Sequence, residues 1–239
     1  MNCENIKLPK IDFSHEDLKP DTLIWNQVKS QVHKAIVEYG CFEAFFNKIP
    51  IHLKKSIFEF SQEIFDLPLQ TKLKNISTNF MAMWDNTILF HSLKAWALMI
   101  LTSLIKLKNS LKFYGPRKSF YLARKFLQYY TKVNGLQLLT KDGQWKNINP
   151  TPGTFTIIIG DSLHVWTNGR MHAPYHRVLI RGNETRYSVG LFSTPKDGYT
   201  IKTPKELIDE DHPLLFKPHN HFEFLNFSYT KKACNVNLL

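Results

Sequence analysis

The sequence predicts a mainly β chain, a sandwich or barrel of short strands entered through an N-terminal helical region. From residue 134 onward, short apolar segments alternate with turn residues at regular intervals. Before residue 77 the apolar residues instead recur at helical spacing. The strand rhythm of the C-terminal half argues for a sandwich or barrel rather than parallel βαβ units. With 239 residues, 43% of them hydrophobic and 13% aromatic, the chain can bury the core of one globular unit, with room for a smaller satellite.

At the N-terminus, Leu8-Pro9-Lys10-Ile11-Asp12-Phe13-Ser14 reads as a short strand entering a loop. Residues 25–39 follow as a helix whose Val28, Val32, Ala35 and Ile36 share one face. Gly40 stands where a helix C-terminal cap belongs, and residues 41–46 read as the next strand. A second amphipathic helix is expected over residues 51–65, stopped by Leu67-Pro68. Residues 1–13 have no uninterrupted apolar core and do not read as a secretory signal. Cys3, Cys41 and Cys234 are odd in number and widely spaced, which fits reduced thiols and a cytoplasmic protein.

The net charge of +11 is not spread evenly. Residues 86–141 contain no Asp or Glu, whereas Lys94, Lys106, Lys108, Lys112, Arg117, Lys118, Arg124, Lys125, Lys132 and Lys141 all fall there. A composition break this abrupt sets residues 78–132 apart as an anomalous basic segment between an N-terminal unit, 1–77, and a barrel portion with a tail, 133–239. Within it, residues 95–105 form an apolar run too short to span a bilayer. The run reads as a buried helix or, because lysines flank it, as a membrane-surface helix. The block has no recognisable nucleic-acid-binding module, so neither nucleic acid nor a membrane is the expected partner.

Further strands follow in order. Asp142-Gly143 links 136–139 to Trp145 as a hairpin. Residues 155–159 end at Gly160-Asp161, residues 163–166 at Asn168-Gly169, residues 176–180 at Gly182-Asn183, and residues 186–192 before Pro195.

The motifs Asn134-Gly135-Leu136-Gln137, Pro152-Gly153-Thr154-Phe155, Gly160-Asp161-Ser162-Leu163, Trp166-Thr167-Asn168-Gly169, His176-Arg177-Val178 and Arg186-Tyr187-Ser188 occur in one order and spacing. Leu8-Pro9-x-Ile11-Asp12 and Tyr39-Gly40-Cys41-Phe42 precede them, and Gly190-Leu191-Phe192-Ser193 and His212-Pro213-Leu214 follow. In these motifs the chain resembles the plant 2-oxoglutarate- and iron(II)-dependent dioxygenases, and within them the subgroup that modifies glucosinolate side chains. The resemblance implies a double-stranded β-helix, or jelly-roll, barrel behind an N-terminal helical domain. It also implies a cytoplasmic oxidoreductase of plant specialised metabolism with a small-molecule substrate, iron(II) as metal and 2-oxoglutarate as co-substrate.

It further implies roles. His176 is the second histidine of a two-histidine, one-carboxylate iron site. Arg186 and Ser188, two residues apart, grip the distal carboxylate of 2-oxoglutarate through a planar fork of donors and a hydroxyl. Tyr114, ahead of Gly115-Pro116, reaches the same co-substrate. The family places His-x-Asp between the Gly-Pro turn and the Asn-Gly-Leu-Gln segment, yet residues 117–133 contain no His, Asp or Glu. No catalytic residue is therefore assigned, and the barrel is expected to be incomplete. Asp161 and His164 are the nearest spare donors; His172 precedes His176 by four residues, but Pro174 between them forbids a regular helical ligand pair. The 219–221 run reads as a polar turn. Two readings compete: an oxidoreductase whose iron site an unconventional ligand restores, and a non-catalytic carboxylate-binding relative or altered gene product.

Overall fold

The computed structural model describes residues 4–47, scattered residues between 56 and 70, 129–130, 134–180, 183–186, 188–189, 195 and 198–228. The chain divides into two compact units, one of Met1–Lys48 with Gly115–Leu239 and the other of Ile49–Tyr114. In the second unit, Ser56, Glu59, Phe60, Gln62, Glu63, Phe65 and Asp66 are helical and the helix gives way at Leu67-Pro68. Most of residues 51–65, and the apolar run 95–105, lie outside the described residues.

The first unit begins with strands β1 (Asn5–Ile6) and β2 (Lys10–Asp12), then helix α1 (Leu23–Glu38) and strand β3 (Cys41–Phe45). Thr22 caps α1, its Oγ1 accepting from the Trp25 amide at 3.2 Å. The helix buries Val28, Ala35 and Ile36, three of the four residues predicted to share a face. Gly40 ends it with φ +65° and donates to Ile36 O at 3.0 Å, the left-handed cap that glycine permits. Lys141 Nζ donates to Val37 O at 2.9 Å, so one lysine of the acid-free block caps this same helix end.

Strands β4 (Tyr129–Tyr130), β5 (Leu136–Leu139), β6 (Trp145–Ile148) and β7 (Thr154–Ile158) follow. The β5–β6 hairpin is closed by Thr140 N to Gln144 O, with Gly143 at φ +79° as the Asp-Gly signal requires. Then come helix α2 (Asp161–Trp166), strands β8 (His176–Val178), β9 (Ser188–Val189) and β10 (Thr200–Ile201), a 3-10 turn at Lys205–Leu207, strand β11 (His219–Asn220) and helix α3 (His221–Ser228). Residues 163–166, expected as a strand, are helical. Gly160 caps the turn in extended conformation and Ser162, Leu163 and Val165 are buried, a pattern that a four-residue apolar run cannot distinguish from a strand.

The strands order as β1-β6-β5-β8, β2-β3-β7, β4-β9 and β10-β11. Among the described residues these sheets do not close into a barrel, and successive strands switch between sheets: β7 joins β3, β8 joins β5, and β9 joins β4. That alternation of strands between sheets is the jelly-roll pattern expected from the sequence. The N-terminal β3 pairs in antiparallel register with β7 over Cys41–Phe45, and Leu8, Cys41, Leu136, Leu138, Ile148 and Ile158 form one buried cluster across both sheets. A smaller cluster of Val165 and Ile201, with Trp166 and Phe216 against it, fastens α2 to β10.

Candidate functional site

Three of the four predicted site residues lie among the described residues; Tyr114 lies outside them. His176 opens β8, which pairs antiparallel with β5 so that His176 faces Leu138, Arg177 faces Gln137 and Val178 faces Leu136. Ladder partners share a sheet face, so His176 stands on the face of the buried Leu136 and Leu138 while Arg177 stands on the other. All three β8 residues are exposed. The His176 ring lies near the backbone, Nδ1 being 3.4 Å from Pro174 O.

Arg186 is half-buried and precedes β9 rather than lying within it. Its Nε and Nη2 are inaccessible to solvent, and its Cδ packs beside Gly135. A Cβ built on Gly135 would sit 3.7 Å from that Cδ and only 2.8 Å from Leu179 O. Glycine is therefore required there for close approach as well as for its φ of +148°. Ser188, the first residue of β9, is exposed and pairs with Tyr130 of β4. Residues 190–192 of the expected common strand lie outside the described residues, and β8 and β9 lie in separate sheets.

Both candidate regions border β5. His176 is opposite Leu138 and the Arg186 side chain is beside Gly135, three residues or about 10 Å apart along the strand. The segment leading into β8 is held by Gly40, where a Cβ would lie 2.3 Å from His172 O and 2.5 Å from Pro174 Cδ.

Among the described residues no group of three or more His, Cys, Asp or Glu side chains converges as a metal site would require. The spare donors do not change this. Asp161 is the first residue of α2, and His164 Nδ1 is engaged with Met171 O at 2.6 Å. His172 Nε2 is buried without a hydrogen-bond partner; burial, then the nearby Lys141 and His164, depress its pKa and favour the neutral ring. An iron(II) ion does not fit the described donor set. A carboxylate does fit the donor types at Arg186 and Ser188, a guanidinium with buried nitrogens and a hydroxyl two residues on.

The 219–221 run is not a polar turn. Asn220 Oδ1 caps α3 by accepting from the Phe222 and Glu223 amides, and His221 is buried with Nδ1 2.8 Å from Ser162 Oγ. Asn168, with φ +53°, accepts from Leu215 N at 2.9 Å and donates to Pro213 O at 3.0 Å. This joins the Trp166-Thr167-Asn168-Gly169 and His212-Pro213-Leu214 motifs physically. Gln137 and Arg177 carry no signal of a role in the sequence, although both sit in matched motifs and fall opposite each other once β5 and β8 are paired.

Residues 126–195 match the 2OG-Fe(II) oxygenase superfamily, and residues 8–87 match the non-haem dioxygenase in morphine synthesis N-terminal family. The chain is 32% identical over 298 positions to a probable 2-oxoglutarate-dependent dioxygenase, AOP1.2, of Arabidopsis thaliana, spanning 95% of this chain and 92% of that one. That aligned span is longer than the 239 residues present, so several tens of the relative's positions have no counterpart here. Over 106 residues, 44% of this chain and 27% of the relative, it is 44% identical to an Arabidopsis protein named probable inactive 2-oxoglutarate-dependent dioxygenase AOP2. Its fold is similar to that of the rice dioxygenase for auxin oxidation, with TM-score 0.67 and 20% identity over 93% of this chain and 95% of that one. It is likewise similar to the Arabidopsis thaliana dioxygenase for auxin oxidation 1 in binary complex with 2-oxoglutarate, with TM-score 0.61 and 18% identity over 87% of this chain and 100% of that one.

Proposed function

Because the chain belongs to the 2-oxoglutarate- and iron(II)-dependent oxygenase superfamily, we propose that it keeps the carboxylate grip of that family and has lost most of its capacity for the iron chemistry. The observation that carries this reading is the absence of any His, Asp or Glu from residues 117–133, where the family's first two iron ligands belong. In this family iron(II), with 2-oxoglutarate, supplies the oxidising power for attack on a small molecule. Here His176 is one donor where a facial site needs three, and metal affinity falls when ligands leave a preorganised set. Arg186 and Ser188 hold the distal carboxylate of 2-oxoglutarate. The substrate pocket is that of a plant specialised metabolite, by motif resemblance a glucosinolate side chain, in a cytoplasmic protein divided as 1–77, 78–132 and 133–239.

A working oxygenase with a substitute ligand is the second reading, favoured by alignment to AOP1.2 over 95% of the chain. Anaerobic calorimetry with iron(II), calorimetry with 2-oxoglutarate and a succinate-release assay separate the two. The proposal expects weak iron binding, no succinate above background, and 2-oxoglutarate binding that Arg186→Met abolishes. Tight stoichiometric iron binding with steady succinate production that His176→Ala eliminates would establish the second reading instead.

A further inference from the structure

We propose that Arg177, neighbour of the candidate ligand His176, is a positioning residue that sets the register of β8 and through it the placement of both His176 and the Arg186 cradle. The inference rests on the reading of Arg186 as the carboxylate grip. Register is strongly specified where one face of a strand is buried and weakly where neither is. All three residues of β8 are exposed, so burial does not select the pairing with β5. Backbone ladder bonds do not distinguish side chains either. A polar row on the opposite face does.

Gln137 is buried, and its Nε2 donates to Asn147 Oδ1 at 2.8 Å, which fixes the direction of the amide. Its Oε1 then faces β8 and accepts from Arg177 Nε at 2.8 Å. The guanidinium also lies 4.0 Å over the Trp145 ring of β6. Three strands are cross-linked on one line, since Asn147, Gln137 and Arg177 are successive ladder partners. A slip of one residue would send Arg177 to the face of Leu136 and Leu138, turn His176 toward Gln137 and leave a buried amide oxygen unpaired. The same register brings Leu179 N to Gly135 O at 2.8 Å, the backbone contact against which Arg186 packs. Lysine cannot replace this device, because it lacks the planar fork that reaches the amide and stacks on the indole together.

The test follows 2-oxoglutarate affinity by calorimetry and the His176 ring resonance by NMR, assigned through His176→Asn, with thermal melting as a folding check. Arg177→Met is expected to weaken 2-oxoglutarate binding about tenfold or more and to move the His176 resonance. Arg177→Lys, the milder variant should the first fail to fold, is expected to move both in the same direction. Gln137→Leu, which removes the acceptor, is expected to move both in the same direction as Arg177→Met. Arg186→Met is expected to abolish binding without moving the His176 resonance. A folded Arg177→Met or Arg177→Lys protein with an unmoved His176 resonance overturns the proposal. If the wild-type protein binds no 2-oxoglutarate, the carboxylate reading fails, and the His176 resonance alone still decides the role of Arg177.

Discussion

Gly40 is the residue where the N-terminal segment and the approach to the candidate site are most tightly coupled, and Gly40→Ala tests that coupling. Two costs add. The left-handed φ of +65° penalises any side chain by about 1 kcal/mol. The new Cβ would then lie 2.3 Å from His172 O and 2.5 Å from Pro174 Cδ, neither of which is the far end of a flexible side chain. The 172–174 backbone has to retreat, at about 1–3 kcal/mol for overpacking, straining the Leu139 N to Tyr175 O bond at the start of β8. The total of about 2–4 kcal/mol corresponds to a melting-temperature loss of about 4–16 °C for a chain of this size. Gly143→Ala is the internal control, because its φ of +79° is similar but nothing lies within 4 Å of its Cβ; it carries the conformational cost alone. Thermal melts of both variants against wild type give the comparison. Equal losses would refute the steric half of the reasoning and, with it, the claim that Gly40 holds the His172-to-Pro174 segment in place.

Asn168→Ala removes the acceptor of Leu215 N and the donor to Pro213 O, and is expected to destabilise by about 2–4 kcal/mol in denaturant titrations; an unchanged midpoint would show that the 212–215 segment is held by other contacts. His172 has a pKa lowered from 6.5 mainly by burial. The unfolded chain therefore binds its proton more readily, so this group's contribution to stability is complete above about pH 6.5 and declines as pH falls below it. His172→Gln should flatten that part of the stability-against-pH curve, and a curve parallel to wild type would remove His172 from the account. Cys41 is fully buried and its thiol pKa is pushed up by burial and then by Glu43. It should resist iodoacetamide in the native protein and label on unfolding, as read by peptide mass spectrometry; native labelling at Cys41 would show that the β3 core opens.

The sequence was most legible where a local signal has only one structural solution. Asp142-Gly143 between apolar runs closes as the β5–β6 hairpin, and the Val28, Ala35 and Ile36 face followed by Gly40 gives α1 and its left-handed cap. It was least legible where the deciding contact is distant. The run 163–166 is a helix whose Val165 O accepts from Thr203 Oγ1, a contact 38 positions away that no window of four residues contains. His221 looked like part of a polar turn because its partner, Ser162, is 59 positions away. Strand periodicity placed His176 on a ladder, but the role of Arg177 appears only when β5 supplies Gln137 opposite it. Arg186 is marked by its motif, and its burial beside Gly135 required the fold.

The described architecture separates what holds the fold together from what a metal or carboxylate site would require. The cluster that binds β3, β5, β6 and β7 together consists of Leu8, Cys41, Leu136, Leu138, Ile148 and Ile158, none of which is a candidate site residue. Burial of that cluster is non-directional and proportional to apolar area, so it does not depend on which polar side chains decorate the edges of the sheets. A metal site has the opposite requirement: three donors at fixed angles, where the loss of any one degrades the whole set. The carboxylate grip lies between these extremes, because one guanidinium with buried nitrogens already supplies a charge-assisted pair of bonds. Loss of residues along the chain therefore removes functions in order of how many separate elements each one needs. On the proposed reading, iron chemistry goes first, a carboxylate grip by Arg186 and Ser188 survives longer, and the packed sheets outlast both.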